Sequence, residues 1–211
     1  MDETTLIPDA LKELREFLDS QGWEYCLIGG LAAARWGEAR FTHDIDVVVK
    51  SGFGCEVEFV KPLLKKFKAR YPDAVEFAKA NRVVLVTAKN GIGIDISLGG
   101  LEFEEHMLAQ AQLTKILSGV EFRTARPEDI IVMKSLAGRP IDVKDIEGII
   151  AGQGKSLDVN DIRQWLTELA EFWPDVDSVG IFETALQTVT DRIKKRPPKS
   201  RRKGTKPEDR D

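Results

Sequence analysis

The chain has 211 residues, of which 42% are hydrophobic and 31% charged, as is typical of a globular protein with one main folding unit and a sizeable core. Its two cysteines, Cys26 and Cys55, are too few for a disulfide framework. No apolar stretch approaches the roughly 18 residues of a membrane span, and the acidic amino terminus lacks a signal-peptide pattern. We therefore expect a cytoplasmic protein without membrane contact.

The charge is distributed unevenly along the chain. The net charge is −4, but residues 193–211 contain nine Lys or Arg and only three Asp or Glu, so the rest of the chain is strongly acidic. Because residues 194–211 are almost free of apolar side chains, we predict that they form a disordered basic tail. Two interpretations of this tail stay open: an arm that contacts the phosphates of RNA or DNA, and a solubilising terminus.

Apolar periodicity and turn residues predict alternating helices and strands up to about residue 125. Asn90-Gly91, between two β-branched runs, is a strong hairpin signal, and Ser118-Gly119 marks a weaker second hairpin. In chain order, the predicted elements are a helix begun by Pro8-Asp9 and closed by Gly22, a strand at 25–28, a helix at 31–36, a strand at 46–49, a helix at 56–70, and strands at 82–87, 92–96, 112–116 and 120–123.

From Pro127 onward the pattern is helical. The predicted helices cover residues 127–137, 142–150, 158–172 and 178–193. The sequence therefore predicts an α/β (α+β) protein in three parts: an α/β domain over residues 1–125, a helical domain over 126–193 and the basic tail over 194–211.

Two acidic residues stand at the start of an apolar strand. Asp44 and Asp46 are two residues apart, so their side chains leave the same face of the strand, about 6–7 Å apart along the chain. Two carboxylates so placed repel each other unless a cation lies between them. Mg²⁺ suits them, because it prefers oxygen ligands and shares its coordination sphere with phosphates.

Gly29-Gly30 lies between a predicted strand and a predicted helix. Glycine there lets the backbone approach a phosphate closely, and the first turn of the helix offers free N–H donors. A plain tight turn would show the same pair. Thirteen residues separate Gly30 from Asp44, and the combination of the two motifs is more specific than either motif alone.

A third acid, Asp95, interrupts an apolar strand-like run at residues 92–97. A charge there is costly unless it is paired or bound to a metal. A carboxylate beside Asp44 and Asp46 could complete a metal site, and it could also accept the proton of an incoming hydroxyl, so Asp95 is a candidate for both roles. The alternative is a strand-end residue that accepts local hydrogen bonds.

These motifs resemble the signature of the polymerase-beta-like nucleotidyltransferase superfamily. Trp36-Gly37, the Arg40-x-Thr42-x-Asp44-Ile-Asp46 run and the segment from Pro127 to Ile146 resemble its AbiEii-type branch, which includes toxins of toxin–antitoxin pairs. The resemblance spans residues 25–150. It implies a mixed β-sheet as the catalytic domain, a helical domain that closes the nucleotide cleft, and a nucleoside triphosphate (NTP) used with Mg²⁺ or Mn²⁺.

The resemblance also implies roles for individual residues. Asp44, Asp46 and Asp95 would be metal ligands and catalytic carboxylates, and Asp95 would act as the base. Nucleotide binding would involve Gly29 and Gly30, a Lys134 that contacts the triphosphate, and further residues that line the cleft or hold its loop: Arg40, Thr42, Arg139 and Asp142.

Three functional hypotheses remain open at this stage. The first is an AbiEii-like toxin component that transfers a nucleotide to an RNA, such as a tRNA end, or to a protein, and that has a cognate antitoxin. The second is an adenylyltransferase that modifies small molecules such as aminoglycosides or lincosamides. The third is a non-catalytic protein that binds a nucleotide or serves as a scaffold.

Overall fold

The computed structural model describes residues 3–195, with side-chain detail from residue 6 and excepting Ser118. Most of the predicted basic tail thus lies outside the described residues. Helices and strands alternate up to residue 124, and helices alone follow, apart from short 3-10 turns at Leu117–Gly119 and Gly154–Ser156. The elements are α1 (Glu3–Gln21), β1 (Tyr25–Leu27), α2 (Gly29–Trp36), β2 (Asp44–Lys50), α3 (Glu56–Lys66), β3 (Lys68–Ala69), α4 (Ala74–Asn81), β4 (Val83–Thr87), β5 (Gly93–Gly99), α5 (Glu102–Gln110), β6 (Gln112–Lys115), β7 (Glu121–Thr124), α6 (Pro127–Ala137), α7 (Pro140–Gln153), α8 (Val159–Ala170) and α9 (Ser178–Lys195).

The strands form one mixed sheet in the order β3-β4-β5-β2-β1-β7-β6. β2 runs parallel to β5 and antiparallel to β1, and β7 runs parallel to β1. Val47, Val48 and Val49 of β2 are fully buried, because a central strand in a sheet covered by helices has apolar neighbours on both faces. The predicted α/β fold class with a mixed sheet is confirmed.

Both predicted hairpins are present in the sheet. β4 pairs antiparallel with β5, and β6 pairs antiparallel with β7. Gly91 has φ +94, a conformation that glycine adopts without strain, and this allows the tight β4–β5 turn. The Asn90 side chain donates a hydrogen bond of 2.6 Å to the Leu6 carbonyl, which fixes the first part of α1 to this turn.

Several boundaries differ from the sequence prediction. α1 begins at Glu3 and contains Pro8, because Ile7 already packs into the core ahead of Leu11 and proline costs only one backbone hydrogen bond there. The helix predicted over 56–70 ends at Lys66, since Phe67 is extended and the chain continues into the short strand β3.

Two helices were not predicted. α4 ends at Asn81, and the left-handed φ of 53 at the next residue, Arg82, turns the chain into β4. α5 begins where the Glu104 carboxylate accepts hydrogen bonds from the backbone N–H groups of Gly100 and Leu101. Both helices are short, at eight and nine residues, which gives periodicity little length in which to appear.

Helix α6 connects the sheet to the helices that follow it, and a buried ion cluster fixes its first turn. The guanidinium of Arg126 donates to the fully buried Asp129 (2.9 Å) and to Asp161 of α8 (2.8 Å), and it contacts His106 Nε2 at 2.9 Å. His106, Asp129 and Asp161 lie close enough to hold a metal ion. Because Arg126 already supplies the cation between them, the cluster is a structural tie between α5, α6 and α8.

Replacing Arg126 with alanine is expected to lower the free energy of unfolding by about 3–5 kcal/mol, because Asp129 would be left buried and uncompensated. Urea unfolding followed by circular dichroism measures the effect. Arg163→Ala is the matched control, since it removes a guanidinium from an exposed pair with Glu183 between α8 and α9. An Arg126 variant no less stable than the Arg163 variant would contradict the assignment.

Candidate active site

Three carboxylates meet where β2 and β5 lie side by side. The parallel register pairs Asp46 directly with Asp95, and Asp44 precedes Asp46 by two residues on the same face of β2. One side-chain oxygen from each of the three residues lies within 4.8 Å of the others. The topology thus brings together an acid 49 residues distant in sequence and the predicted Asp-x-Asp pair.

Burial and mutual repulsion both disfavour ionisation of the carboxylates in this cluster. Burial, together with the neighbouring charges of Asp44 and Asp95, raises the pKa of Asp46 to about 6, although Gly30 and Lys134 oppose the rise. Burial also raises the pKa of Asp95, against the opposing effect of an arginine, Arg70. Three hard oxygen donors that repel one another at this distance form a suitable ligand set for a small divalent cation.

Gly29 and Gly30 make room for Asp46 at the start of α2. Gly29 has φ +63, and a Cβ added there would lie only 2.0 Å from Asp46 Oδ2. The nearby backbone N–H of Gly30 favours the ionised Asp46 carboxylate and lowers its pKa, against the effect of burial. The Gly-Gly pair is therefore required both for the turn into α2 and for the close approach of the carboxylate to the first turn of that helix.

Arg40 and Thr42 lie over the same end of α2. The Thr42 hydroxyl donates to Asp44 Oδ1 at 3.1 Å. The Arg40 guanidinium forms two hydrogen bonds with Asp145 of α7, Nε to Oδ1 at 2.7 Å and Nη2 to Oδ2 at 2.9 Å. The loop before β2 thus positions one candidate metal ligand and is itself held to the helical half of the chain.

Lys134 is buried more deeply than a lysine that is free to contact a phosphate. It is 5% exposed, and its ammonium contacts Asp142 Oδ1 at 2.8 Å and Asp145 Oδ2 at 2.7 Å. Arg139, whose side chain is 69% exposed, also donates to Asp142, with 2.5 Å between Nε and Oδ2. Burial alone would raise the pKa of Asp142, but the hydrogen bonds from Arg139 and Lys134 outweigh it and the pKa is lowered.

Two residues of the site were not singled out from the sequence. Asp145 accepts from both Arg40 and Lys134, which joins the loop before β2 to α6. Arg70, just after β3, donates from Nη2 to Asp95 Oδ1. The sequence carries no local signal for Arg70, because its place beside Asp95 follows only from the order of the strands.

A pocket of about 490 Å³ lies along α2 and the loop before β2, and none of the three acids is among its lining residues. Thr42, which bonds to Asp44, is one of its walls. Phe41, 68% exposed, stands at the pocket with its ring 4.7 Å from that of His43. Within the described part of the chain the lining contains two arginines, Arg35 and Arg40, and no carboxylate; the other lining residues are Ile7, Leu31, Ala34, Ala39, Phe41, Thr42, Ile116 and Leu117.

The fold and the acid cluster define a nucleotidyltransferase-like protein, and comparisons with known proteins agree. Residues 8–184 match the family model described as "Nucleotidyl transferase of unknown function (DUF2204)", so the chain belongs to this family. Membership indicates transferase activity. The predicted membership of a nucleotidyltransferase superfamily is confirmed in this general form.

Solved structures share the fold at low sequence identity. An antigenic nucleotidyltransferase-like protein from Paracoccidioides brasiliensis is 18% identical with a TM-score of 0.50, over 89% of this chain and 93% of that chain. The antibiotic-resistance factor ANT(2'')-Ia is 15% identical with a TM-score of 0.53, over 83% and 96%. A second ANT(2'')-Ia structure, in complex with adenylyl-2''-tobramycin, is 16% identical with a TM-score of 0.50, over 82% and 99%.

No curated protein sequence matches the chain. Among the helices of residues 3–195, none is long and apolar enough to cross a membrane.

Asp46→Asn is expected to stabilise the metal-free protein at pH 7. Because the folded chain holds the Asp46 proton up to a pKa of about 6, whereas an unfolded aspartate titrates near 4, ionisation of Asp46 costs folding free energy above that window. The cost fades as the pH falls from about 6 to about 4. The variant should gain about 1–3 kcal/mol at pH 7 and little at pH 4.

Urea unfolding in EDTA at the two pH values tests this expectation. Asp175→Asn, at an exposed turn between α8 and α9, is the matched control and should show no such pH-dependent gain. A loss of stability in the Asp46 variant at pH 7 would show that the carboxylate is not under repulsion.

Proposed function

We propose that the chain is a metal-dependent enzyme that transfers a nucleoside monophosphate from an NTP to a hydroxyl group of an RNA. The observation that carries this proposal is the convergence of Asp44, Asp46 and Asp95 within 4.8 Å, beside the Gly29-Gly30 start of α2. A site with three repelling carboxylates next to a helix N-terminus suits a cation together with a phosphate chain.

The three aspartates would hold Mg²⁺ or Mn²⁺, since all their donor atoms are hard carboxylate oxygens. Bound there, the cation would offset the negative charge that develops on the transferring phosphoryl group and its leaving group. Thr42, through its hydrogen bond to Asp44, orients one of these ligands.

In the transfer itself, the acceptor hydroxyl forms a bond to the α-phosphorus, and the bond from that phosphorus to the bridging β-phosphate oxygen breaks. Pyrophosphate leaves with the bonding electron pair, and Asp95 accepts the proton of the hydroxyl. The free backbone N–H groups in the first turn of α2, after Gly29 and Gly30, bind phosphate oxygens. The protein thus positions the reactants and offsets the negative charge that develops on the transferring group, which is most of what phosphoryl transfer requires.

Residues 1–125 act as the catalytic domain and residues 126–193 as the helical wall of the nucleotide cleft. Among the cations of this wall that are described above, Arg139 has the most exposed side chain, and it is placed to reach the triphosphate. Lys134 lies too deep for open contact, and its charge acts on the site from within the pair of Asp142 and Asp145. The ion pair of Arg40 with Asp145 keeps the wall in register with the acids.

An RNA acceptor is supported by the pocket beside Thr42. Its described lining carries Arg35 and Arg40 but no acid, and the exposed Phe41 offers a ring on which an unpaired base can stack. An aminoglycoside such as the tobramycin in the ANT(2'')-Ia complex is polycationic and would find no carboxylate among the described lining residues to bind its ammonium groups. The basic residues 194–211 would add contacts to RNA phosphates.

The resemblance of the Arg40–Asp46 and Pro127–Ile146 segments to AbiEii-type proteins supports a role as the toxin of a pair with a cognate antitoxin. Such a role requires the same catalytic site. An adenylyltransferase acting on small molecules and a non-catalytic nucleotide-binding protein are the competing functions.

Incubation with each NTP labelled at the α-phosphate, together with Mg²⁺ and total tRNA, is expected to place label on RNA. Asp46→Asn should reduce the label at least about 100-fold, because a metal ligand is lost while the fold is retained. Asp175→Asn should leave labelling unchanged. A parallel incubation with aminoglycosides and lincosamides in place of tRNA tests the small-molecule alternative.

Label on the drugs and none on RNA would overturn the RNA acceptor. Absence of both nucleotide binding and transfer by the wild-type protein would overturn the catalytic function.

A further inference from the structure

The register of the sheet places Arg70 on the same face as the acids. Asp46 pairs with Asp95, and Asp95 pairs with Leu85 of β4. The backbone N–H of Arg70 donates to the Leu85 carbonyl at 3.0 Å, so this row of laterally paired residues continues from Leu85 to Arg70. Because directly paired residues point to the same face, Arg70 reaches towards Asp95 from two strands away, a span of about 10 Å that a long side chain can cover.

The guanidinium of Arg70 contacts Asp95 at one side of the acid cluster. Its Nη2 donates to Asp95 Oδ1. Its Nη1 is 3.4 Å from the point where a Cβ on Gly93 would stand, and the same point is 3.8 Å from the Asp44 Cβ. The guanidinium therefore lies next to Gly93, the residue that the parallel register pairs with Asp44.

The Arg70–Asp95 pair is open to solvent and can exchange. The side chain of Arg70 is 34% exposed and that of Asp95 30% exposed. Pairs with this exposure contribute little to stability, so the contact is poorly explained as a support of the fold. Lys68, two residues earlier and exposed, shares the face with Arg70 and gives this edge of the site a second positive charge.

We propose that Arg70 is a substrate-binding residue that exchanges partners during the catalytic cycle. In the metal-free protein it neutralises Asp95 and competes with the divalent cation for that carboxylate. When the cation takes Asp95, the released guanidinium binds the triphosphate instead. The proposal rests on the proposed function, because it takes the three aspartates as the metal site.

The exchange has two consequences of opposite sign. Removing Arg70 removes a competitor, so a divalent cation alone binds more tightly. Removing Arg70 also removes a phosphate contact, so an NTP binds more weakly once the cation is in place. A merely structural role for Arg70 would weaken both kinds of binding or change neither.

The first experiment titrates Mn²⁺ alone, followed by the electron paramagnetic resonance signal of the free ion. Arg70→Ala is expected to bind Mn²⁺ about 5-fold more tightly than wild type, and Arg70→Lys, which keeps the charge, should stay nearer wild type. Arg163→Ala, which removes an exposed charge on α8, should have no effect. In an Asp95→Asn background, Arg70→Ala should no longer change the affinity.

The second experiment measures binding of a non-hydrolysable NTP analogue at saturating Mn²⁺. Arg70→Ala should weaken this binding about 10-fold, and Arg70→Lys should restore most of it. Unchanged or weaker Mn²⁺ binding by Arg70→Ala, or unchanged analogue binding, would overturn the proposal while leaving the metal site intact. If neither wild type nor any Arg70 variant binds Mn²⁺, the metal site fails, and the proposed function fails with it.

Discussion

The mutual repulsion of Asp44, Asp46 and Asp95 is the constraint on which the rest of the site depends. Three carboxylates within 4.8 Å, partly withdrawn from water, cannot all be ionised without compensation. The fold offsets this repulsion only in part: the backbone N–H of Gly30 and the charge of Lys134 favour the ionised form of Asp46, and Arg70 neutralises Asp95. The raised pKa of Asp46 shows that the compensation is incomplete.

The same electrostatics connect the two halves of the chain. From the loop before β2 into α7, positive and negative charges alternate in a continuous chain of ion pairs through Arg40, Asp145, Lys134, Asp142 and Arg139. Its inner members are buried, so the loss of one would leave an unpaired charge in a dry environment. The helical half therefore cannot shift relative to the acids without breaking these pairs.

How much of the site could be predicted depends on how far apart in the sequence the interacting residues lie. Asp44, Asp46 and Gly29-Gly30 were predictable because spacing along one strand and one turn fixes which way they face. Asp95 could be selected because a charge in an apolar strand is costly unless it is paired or bound to a metal. Their convergence agrees with the predicted metal site, whose occupation stays a prediction.

Arg70 and Asp145 could not be found in the same way. Arg70 follows a strand of two residues whose place at the sheet edge depends on pairing with β4, and no periodicity reveals that pairing. Lys134 was predicted to contact a triphosphate, but a helical position gives no information on whether a lysine faces solvent or two buried aspartates. Sequence patterns therefore located the acids, whereas tertiary pairing decided which cations are already engaged.

Which cations are already engaged in ion pairs affects what the site can bind. In the described part of the chain, Lys134, Arg40 and Arg139 are each engaged with Asp142 or Asp145, and no lysine or arginine forms an ion pair with Asp44 or Asp46. A permanent ion pair at these two acids would stabilise the fold but would have to be broken before a metal could bind. Leaving them unpaired costs folding free energy, as the raised pKa of Asp46 indicates, and that cost is relieved when a cation arrives. The arrangement therefore suits an exchangeable cation better than a fixed structural charge.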